Sequence, residues 1–249
     1  MSITLITPVF NSAETLADCM QSIARQTVPC QHILIDGGST DTSLQVIEEN
    51  ATDNVEWISE PDQGMYDAIN KGIARATGDI VGVLNSDDFY PRDDVLALVA
   101  AAFANPDIDA CYGDLLYVDR INTDKIVRNW KSGAYQRKRF YNGWMPPHPT
   151  FFIRKDHYEQ YGGYRLDLGS AADYELMLRM LLKHELNAAY IPEVLVNMRN
   201  EGMSNASLKN RISANRNDRQ AWRANELTPR PWTLAAKPLG KIRQWISRA

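Results

Sequence analysis

Two adjacent carboxylates close an apolar run: residues 80–84 lead into Asn85-Ser86-Asp87-Asp88. Like charges at one strand end raise each other's energy unless a positive charge sits beside them, and a divalent cation is the simplest such charge. Oxygen ligands of this kind suit Mn2+ or Mg2+, which would neutralise a diphosphate and stabilise it as a leaving group. Asp87 is the first candidate ligand and Asp88 the second, with Asn85 and Ser86 as hydrogen-bonding neighbours. The bland alternative is that the pair only caps the helix expected after Pro91.

Further groups could act with them. Asp36 ends another apolar run in Asp36-Gly37-Gly38-Ser39, where a carboxylate can accept ribose hydroxyl or base N–H groups and glycines let the backbone approach a ligand. Asp41 then reads as a helix cap. Asp173 opens a helical pattern of Leu176, Met177, Met180 and Leu181; a carboxylate there can deprotonate a hydroxyl nucleophile, or simply cap the helix. His148, set among Pro146, Pro147 and Pro149, can approach a diphosphate, a metal or an acceptor, or else pack beneath its loop. Tyr66, Asp67 and Asn70 share one helix face by their spacing and would border a ligand, unless Asn70 is buried on hydrogen bonds.

The elements that must position these residues follow from periodicity. Apolar runs at 3–7 (ended by Pro8), 32–36, 55–59 and 80–84 alternate with helical patterns at 12–26 (Ser12 as N-cap), 41–50 and 65–76. Such alternation implies right-handed crossovers and a mostly parallel sheet, whose ligands lie beyond the carboxyl ends of its strands. Thr7-Pro8-Val9, Asp36, Asp62 and Asn85–Asp88 would then converge on one edge. After Pro91 the pattern predicts a helix to residue 103, added antiparallel strands at 110–118 and 126–130, and an irregular stretch over 131–149. Helices at 155–161 and 172–183, a short strand at 188–191 and a polar helix at 207–226 complete it.

Composition bounds the rest. A chain of 249 residues with 44% hydrophobic and 23% charged residues suits one sizeable domain, and a net charge of −4 gives no general attraction to nucleic acid. Three cysteines without ligand spacing argue against a disulfide framework or zinc site. With no leader-like start and no long apolar run, the expected location is the cytoplasm. The tail 227–249 is different: 233–248 carries Lys237, Lys241, Arg243 and Arg248 among Leu239, Ile242, Trp245 and Ile246. A basic amphipathic helix of this kind can rest on an anionic membrane, here the inner face of the plasma membrane, or pack as an ordinary helix.

Taken in order, Thr7-Pro8-Val9-Phe10-Asn11, Asp36–Asp41, Asp62–Gly72, Asn85–Asp88, Met145–Phe152, Gly162-Gly163-Tyr164 and Ala171–Leu176 resemble glycosyltransferase family 2, in its bacterial surface-polysaccharide type, over about residues 2–200. The resemblance implies a GT-A fold, α/β with a Rossmann-like mostly parallel sheet and an added antiparallel acceptor-side element. It implies an inverting transfer from a nucleotide-sugar donor to a saccharide or lipid-linked acceptor, with residues 1–90 as the donor half and 91–226 as the acceptor half. Thr7, Pro8, Val9, Asp36, Gly38, Ser39, Tyr66, Asp67, Asn70, Asn85 and Ser86 would border the donor, Asp173 would be the base, and His148 would face acceptor or diphosphate. Asn85 departs from the family's first metal-motif acid, and Gly37 from the second acid often seen in the nucleoside motif.

A sugar-phosphate nucleotidyltransferase would resemble this sheet logic, but the loop after the first strand lacks its glycine-rich, basic character. A processive synthase would be expected to carry membrane spans and a different tryptophan motif. A silent nucleotide-sugar-binding scaffold would explain Asn85, while Asp87 and Asp173 oppose it.

Overall fold

The computed structural model describes residues 1–200 and 208–234. Its first half is a run of strand–helix units: β1 (Ile3–Val9), α1 (Leu16–Ala24), β2 (Gln31–Asp36), α2 (Ser43–Asn50), β3 (Val55–Ser59), α3 (Met65–Arg75) and β4 (Ile80–Val83). The strands pair only in parallel, in the order β3-β2-β1-β4. β1 and β4 are buried throughout, as strands covered on both faces must be, whereas the outer strand β3 is largely exposed. α1 and α4 (Val95–Phe103) lay Cys19, Ile23, Val99 and Phe103 over Ile3, Leu5 and Ile80. On the opposite face α3 packs Ile69 and Ile73 against Ile6, Val81 and Val83. Each such aliphatic side chain contributes about 1.5–3 kcal/mol when fully buried.

The second half extends the same sheet. β7 (Phe152–Arg154) runs antiparallel between β4 and the start of β5 (Ala110–Val118); β6 (Ile126–Trp130) runs antiparallel beside the end of β5; and β8 (Ala188–Arg199) runs parallel to β5. Because β7 opposes both β4 and β5, strands β5 and β8 point the same way as β1–β4. The carboxyl ends of β1, β2, β3, β4, β5 and β8, with the amino end of β6, therefore share one sheet edge. α5 (Arg137–Phe140), α6 (Lys155–Tyr161), α7 (Ala172–Met177) and α8 (Leu208–Ala224) complete the second half. The indole of Trp222, fully buried on α8, donates to the Tyr174 hydroxyl at 2.9 Å and so fastens α8 to α7.

Several expectations need correction. β1 passes through Pro8 instead of ending before it. The Ile6 carbonyl bonds toward β4 and that of Val9 toward β2, so Pro8, like Ile6, turns its missing N–H to the β4 side, where pairing has already stopped. Ser12 does not cap α1, which starts four residues later, because its hydroxyl is engaged with Ser86. The stretch 131–149 contains α5, and His148–Thr150 forms one 3-10 turn with Pro149 inside it. α7 continues into a π-helical turn, Leu178–Lys183. β8 does not stop at Ile191: Pro192 falls in a bulge opposite Gly113, where a Cβ would lie 2.4 Å from Leu195 Cγ. Beyond Glu226 the chain stays packed as far as Leu234, and Thr233 Oγ1 donates to the Tyr141 carbonyl at 2.6 Å. The rest of the basic segment 233–248 lies outside the described residues. No helix among the described residues is long and apolar enough to cross a membrane.

His32 gives this core a pH dependence. It is buried beneath β1, with Nε2 3.0 Å from the Thr7 hydroxyl, and burial lowers its pKa from 6.5 to about 3. A depressed histidine stays neutral when folded, while the unfolded chain takes up a proton below about pH 6.5. Its contribution is thus complete above pH 6.5 and is lost as pH falls toward 3, at about 1.4 kcal/mol per pH unit. Denaturant melts of wild type and His32→Gln between pH 7 and pH 4 should diverge by that slope; parallel curves would remove His32 as the cause.

Candidate active site

The acidic turn is built at the end of β4. Asp88 N–H donates to the Asn85 carbonyl at 3.0 Å, and Asn85 Nδ2 to Asp88 Oδ2 at 3.0 Å, closing 85–88 on itself. The helix that follows begins at Val95, with Asp94 at its N-cap position, so neither acid caps it. Asp88 is fully buried, and burial followed by the neighbouring Asp87 raises its carboxyl well above the usual range. It has no surface toward the crevice. Asp87 is the half-buried acid of the pair. Arg199, delivered by the end of β8, donates to the Asp87 carbonyl at 2.7 Å, pairs with Asp18 and lies 4.8 Å from the Phe89 ring centre. Sequence reading missed Arg199, since an arginine in a polar stretch gives no signal of its partner.

Asp36 ends β2 and folds the next loop around its own carboxylate. It is buried and accepts hydrogen bonds from Gly38 N–H, Ser39 N–H and the hydroxyls of Ser39 and Ser59. The carboxylate shapes the loop, and Gly38 takes a left-handed φ of 86° to make the turn. Gly37 is explained by its neighbour: a Cβ there would lie 2.4 Å from Asp62 Oδ2, so an acid in that position would collide with one already present. Of the remaining donor candidates, Val9 reaches the same edge in register with Asp36, and Ser86 is bonded to Ser12. The Thr7 side chain points inward to His32.

Asp173 lies in the first turn of α7. Its Oδ1 accepts the Tyr174 N–H at 2.7 Å, and its Oδ2 is 3.6 Å from His148 Nδ1. That contact is too long for a hydrogen bond but close enough for strong electrostatic coupling. Burial lowers the His148 pKa, opposed by Asp173 and then Asp87, so a neutral imidazole lies within electrostatic reach of both acids. His148 Nε2 is buried without a partner. Tyr66 closes the other side: burial and then the Asp173 carboxylate raise its phenol pKa, and its ring stacks on Tyr164 at 5.4 Å. The structure thus brings Asp87, His148, Asp173 and Tyr66 together.

The support for α7 is a buried ion pair. Arg179 holds Glu175 through two bonds of 3.0 and 2.8 Å and donates to the carbonyls of Tyr161, Gly162 and Gly163. Asn70 and Asp67 serve the frame instead of the crevice. Asn70 clasps the Tyr164 main chain, accepting its N–H and donating to its carbonyl, both at 2.8 Å; Asp67 accepts from Gln63 N–H and pairs with Lys71. No three His, Cys, Asp or Glu side chains surround one point among the described residues. A cation beside Asp87 would therefore take most of its ligands from phosphate and water, as Mg2+ commonly does. The unpartnered Asn85 Oδ1 suits such a neighbour.

This sheet, with an acidic turn at its carboxyl edge and a second acid carried in from the added half, defines a GT-A glycosyltransferase. Residues 4–162 match the Glycosyl transferase family 2 profile, and the chain belongs to that family. A PGL/p-HBAD biosynthesis glycosyltransferase of Mycobacterium bovis is 34% identical over 207 residues, covering 81% of this chain and 78% of its own. Among solved structures, a mannosyltransferase of Pyrobaculum calidifontis with GDP-Man and Mn2+ superposes with a TM-score of 0.65 at 18% identity, over 99% of this chain and 76% of that one. Staphylococcus aureus TarS 1–349 with UDP gives 0.64 at 18% identity, over 100% and 71%.

Asn70→Ala would leave two main-chain groups of Tyr164 unpaired, at about 1–3 kcal/mol each. Urea melts should show a loss of about 2–4 kcal/mol, well above that of Tyr66→Phe. A cost equal to that of Tyr66→Phe would show that the clasp is dispensable.

Proposed function

We propose that this glycosyltransferase is an inverting enzyme that moves a sugar from a nucleotide-diphosphate donor to a hydroxyl of a saccharide or lipid-linked acceptor, in surface polysaccharide synthesis. The observation that most supports the reading is His148, whose Nδ1 is 3.6 Å from Asp173 and which lies within electrostatic reach of Asp87 beyond the end of β4. Donor and acceptor can then meet between a carboxylate that faces the diphosphate and one that faces the incoming hydroxyl. Residues 1–90 would hold the donor, with the Asp36 loop at the nucleoside, and 91–226 the acceptor. The nucleotides bound by the Pyrobaculum and Staphylococcus proteins and the biosynthetic role of the mycobacterial relative support the reading.

In the transfer, Asp173 takes the proton of the acceptor hydroxyl while that oxygen forms its bond to the anomeric carbon. The bond from that carbon to the diphosphate oxygen breaks, and the nucleoside diphosphate leaves with the electron pair. A single displacement of this kind inverts the anomeric centre. His148 and Tyr66 position the Asp173 carboxylate, whose place in the first turn of α7 also favours its charge. Mn2+ or Mg2+ held by Asp87 and the diphosphate would supply charge neutralisation of the leaving group. The basic tail would bring the enzyme to an anionic membrane, where a lipid-linked acceptor resides.

Calorimetric titration with UDP, GDP, CDP and dTDP, each with Mn2+ and with chelator, should find one nucleotide bound in a metal-dependent way. Asp87→Ala should remove that dependence. Folded protein that binds none of the four would refute the donor site. Asp173→Asn should keep donor affinity and lower turnover about 10²–10⁴-fold, the usual worth of a general base; lost affinity with normal turnover at saturation would assign Asp173 to binding instead.

A further inference from the structure

Among the described residues, Arg128 is a buried cation with no carboxylate partner. It is 9% exposed, and its Nε and Nη2 have no hydrogen-bond partner. The guanidinium carbon stands 4.3 Å from the ring centre of Tyr117 and 5.4 Å from that of Trp130. Burial lowers its pKa, and only the Tyr117 phenol opposes the shift. Arg179 and Arg199, enclosed to a similar degree, are by contrast fully engaged with carboxylates and carbonyls. Two aromatic faces compensate a desolvated guanidinium only in part, because they leave its N–H donors unmet.

The position of Arg128 says what could meet them. It is the central residue of β6, in register with Tyr117, one residue short of the carboxyl end of β5. The Tyr117 phenol feels Arg128 first among its charged neighbours, then Asp88 and Asp173. Arg128 and these two acids thus lie within electrostatic reach of the same phenol. It sits on the β5–β6 ladder, beyond β4 and β7 from the strand that carries Asp36.

We propose that Arg128, with the Tyr117 hydroxyl, forms an anion subsite that takes a phosphate or carboxylate carried by the acceptor. Its planar fork matches either group in two-point fashion. The two sources are the phosphate of a lipid-linked acceptor and the carboxylate of an acidic sugar. The assignment to the acceptor rests on the transferase reading above; the anion site itself does not.

The test uses full-length protein with 15N-labelled arginine. The Nε–H signal of Arg128, assigned with Arg128→Lys, is followed during titration with inorganic phosphate and with methyl glucuronide, using chloride at matched ionic strength as the control. At least one anion should shift the signal saturably where chloride does not, and the more effective one identifies the source. Arg128→Gln should weaken binding of that anion about ten-fold or more while leaving metal-dependent nucleotide affinity within about two-fold. A signal unmoved by both anions overturns the proposal, and so does an equal loss of nucleotide affinity, which would move Arg128 to the donor. Because the signal is read in wild type, a variant that does not fold leaves the test intact. Wild type that binds no nucleotide would end the transferase reading without altering the anion signal.

Discussion

The turn 85–88 holds two carboxylates side by side, one of them with no exposure to solvent, and the crevice depends on keeping that turn closed. Burial and mutual repulsion work against it, so its stability has to come from outside. Arg199 supplies it from 112 residues further along the chain by bonding the Asp87 carbonyl, while Asn85 Nδ2 steadies Asp88 from within. This requirement explains why β8 runs on through a proline. Only a strand that absorbs Pro192 in a bulge and continues beside β5 can deliver Arg199 to the end of β4. The added half of the fold is therefore part of what holds the acidic turn in place.

The opposite wall follows the same logic at α7. Asp173 sits in a first helical turn, which favours its charge, but its direction is set by what anchors that turn. Arg179 ties α7 to the Gly162-Gly163 turn, and Asn70 ties the next residue, Tyr164, to α3. Tyr66 on α3 then meets Asp173 from one side and His148 from the other.

Much of this was legible from spacing alone. Short apolar runs punctuated by Asp36 and by Asn85–Asp88 specify strand ends, and strand ends in a parallel sheet specify an edge. Asp173 was legible as an acid at a helix start. The supporting residues were not. Arg199 bonds a residue far along the chain and Arg128 has no partner among the described residues, while Arg179 pairs with Glu175 four residues away but stands in an apolar run, Leu176–Leu182, that gives no sign of its contacts with the Gly162-Gly163 turn. Asn70 looked like a donor contact because helix spacing placed it with Tyr66, yet its amide faces the main chain of Tyr164. Ser12 and Pro8 show the same limit: local capping and breaking rules were overridden by Ser86 in one case and by an unpaired strand side in the other.

The buried polar atoms left without partners show where this economy of support stops. Asn85 Oδ1 and Asp88 Oδ1 lie on the turn after β4, His148 Nε2 on its 3-10 turn, Arg128 Nε and Nη2 and Asn129 Oδ1 on β6, and Asn197 Oδ1 near the carboxyl end of β8. Elsewhere the same condition is met at Tyr90 and His157. Native interiors rarely tolerate such atoms, at about 1–3 kcal/mol each, unless a ligand or ordered water completes them. Those on the turns 85–88 and 148–150 put part of the polar cost of the fold in the candidate site. A substrate that supplies the missing partners recovers that cost as binding energy, and one that lacks them does not. An unmet buried hydrogen bond is in general a stronger handle for discrimination between ligands than the shape of an apolar pocket.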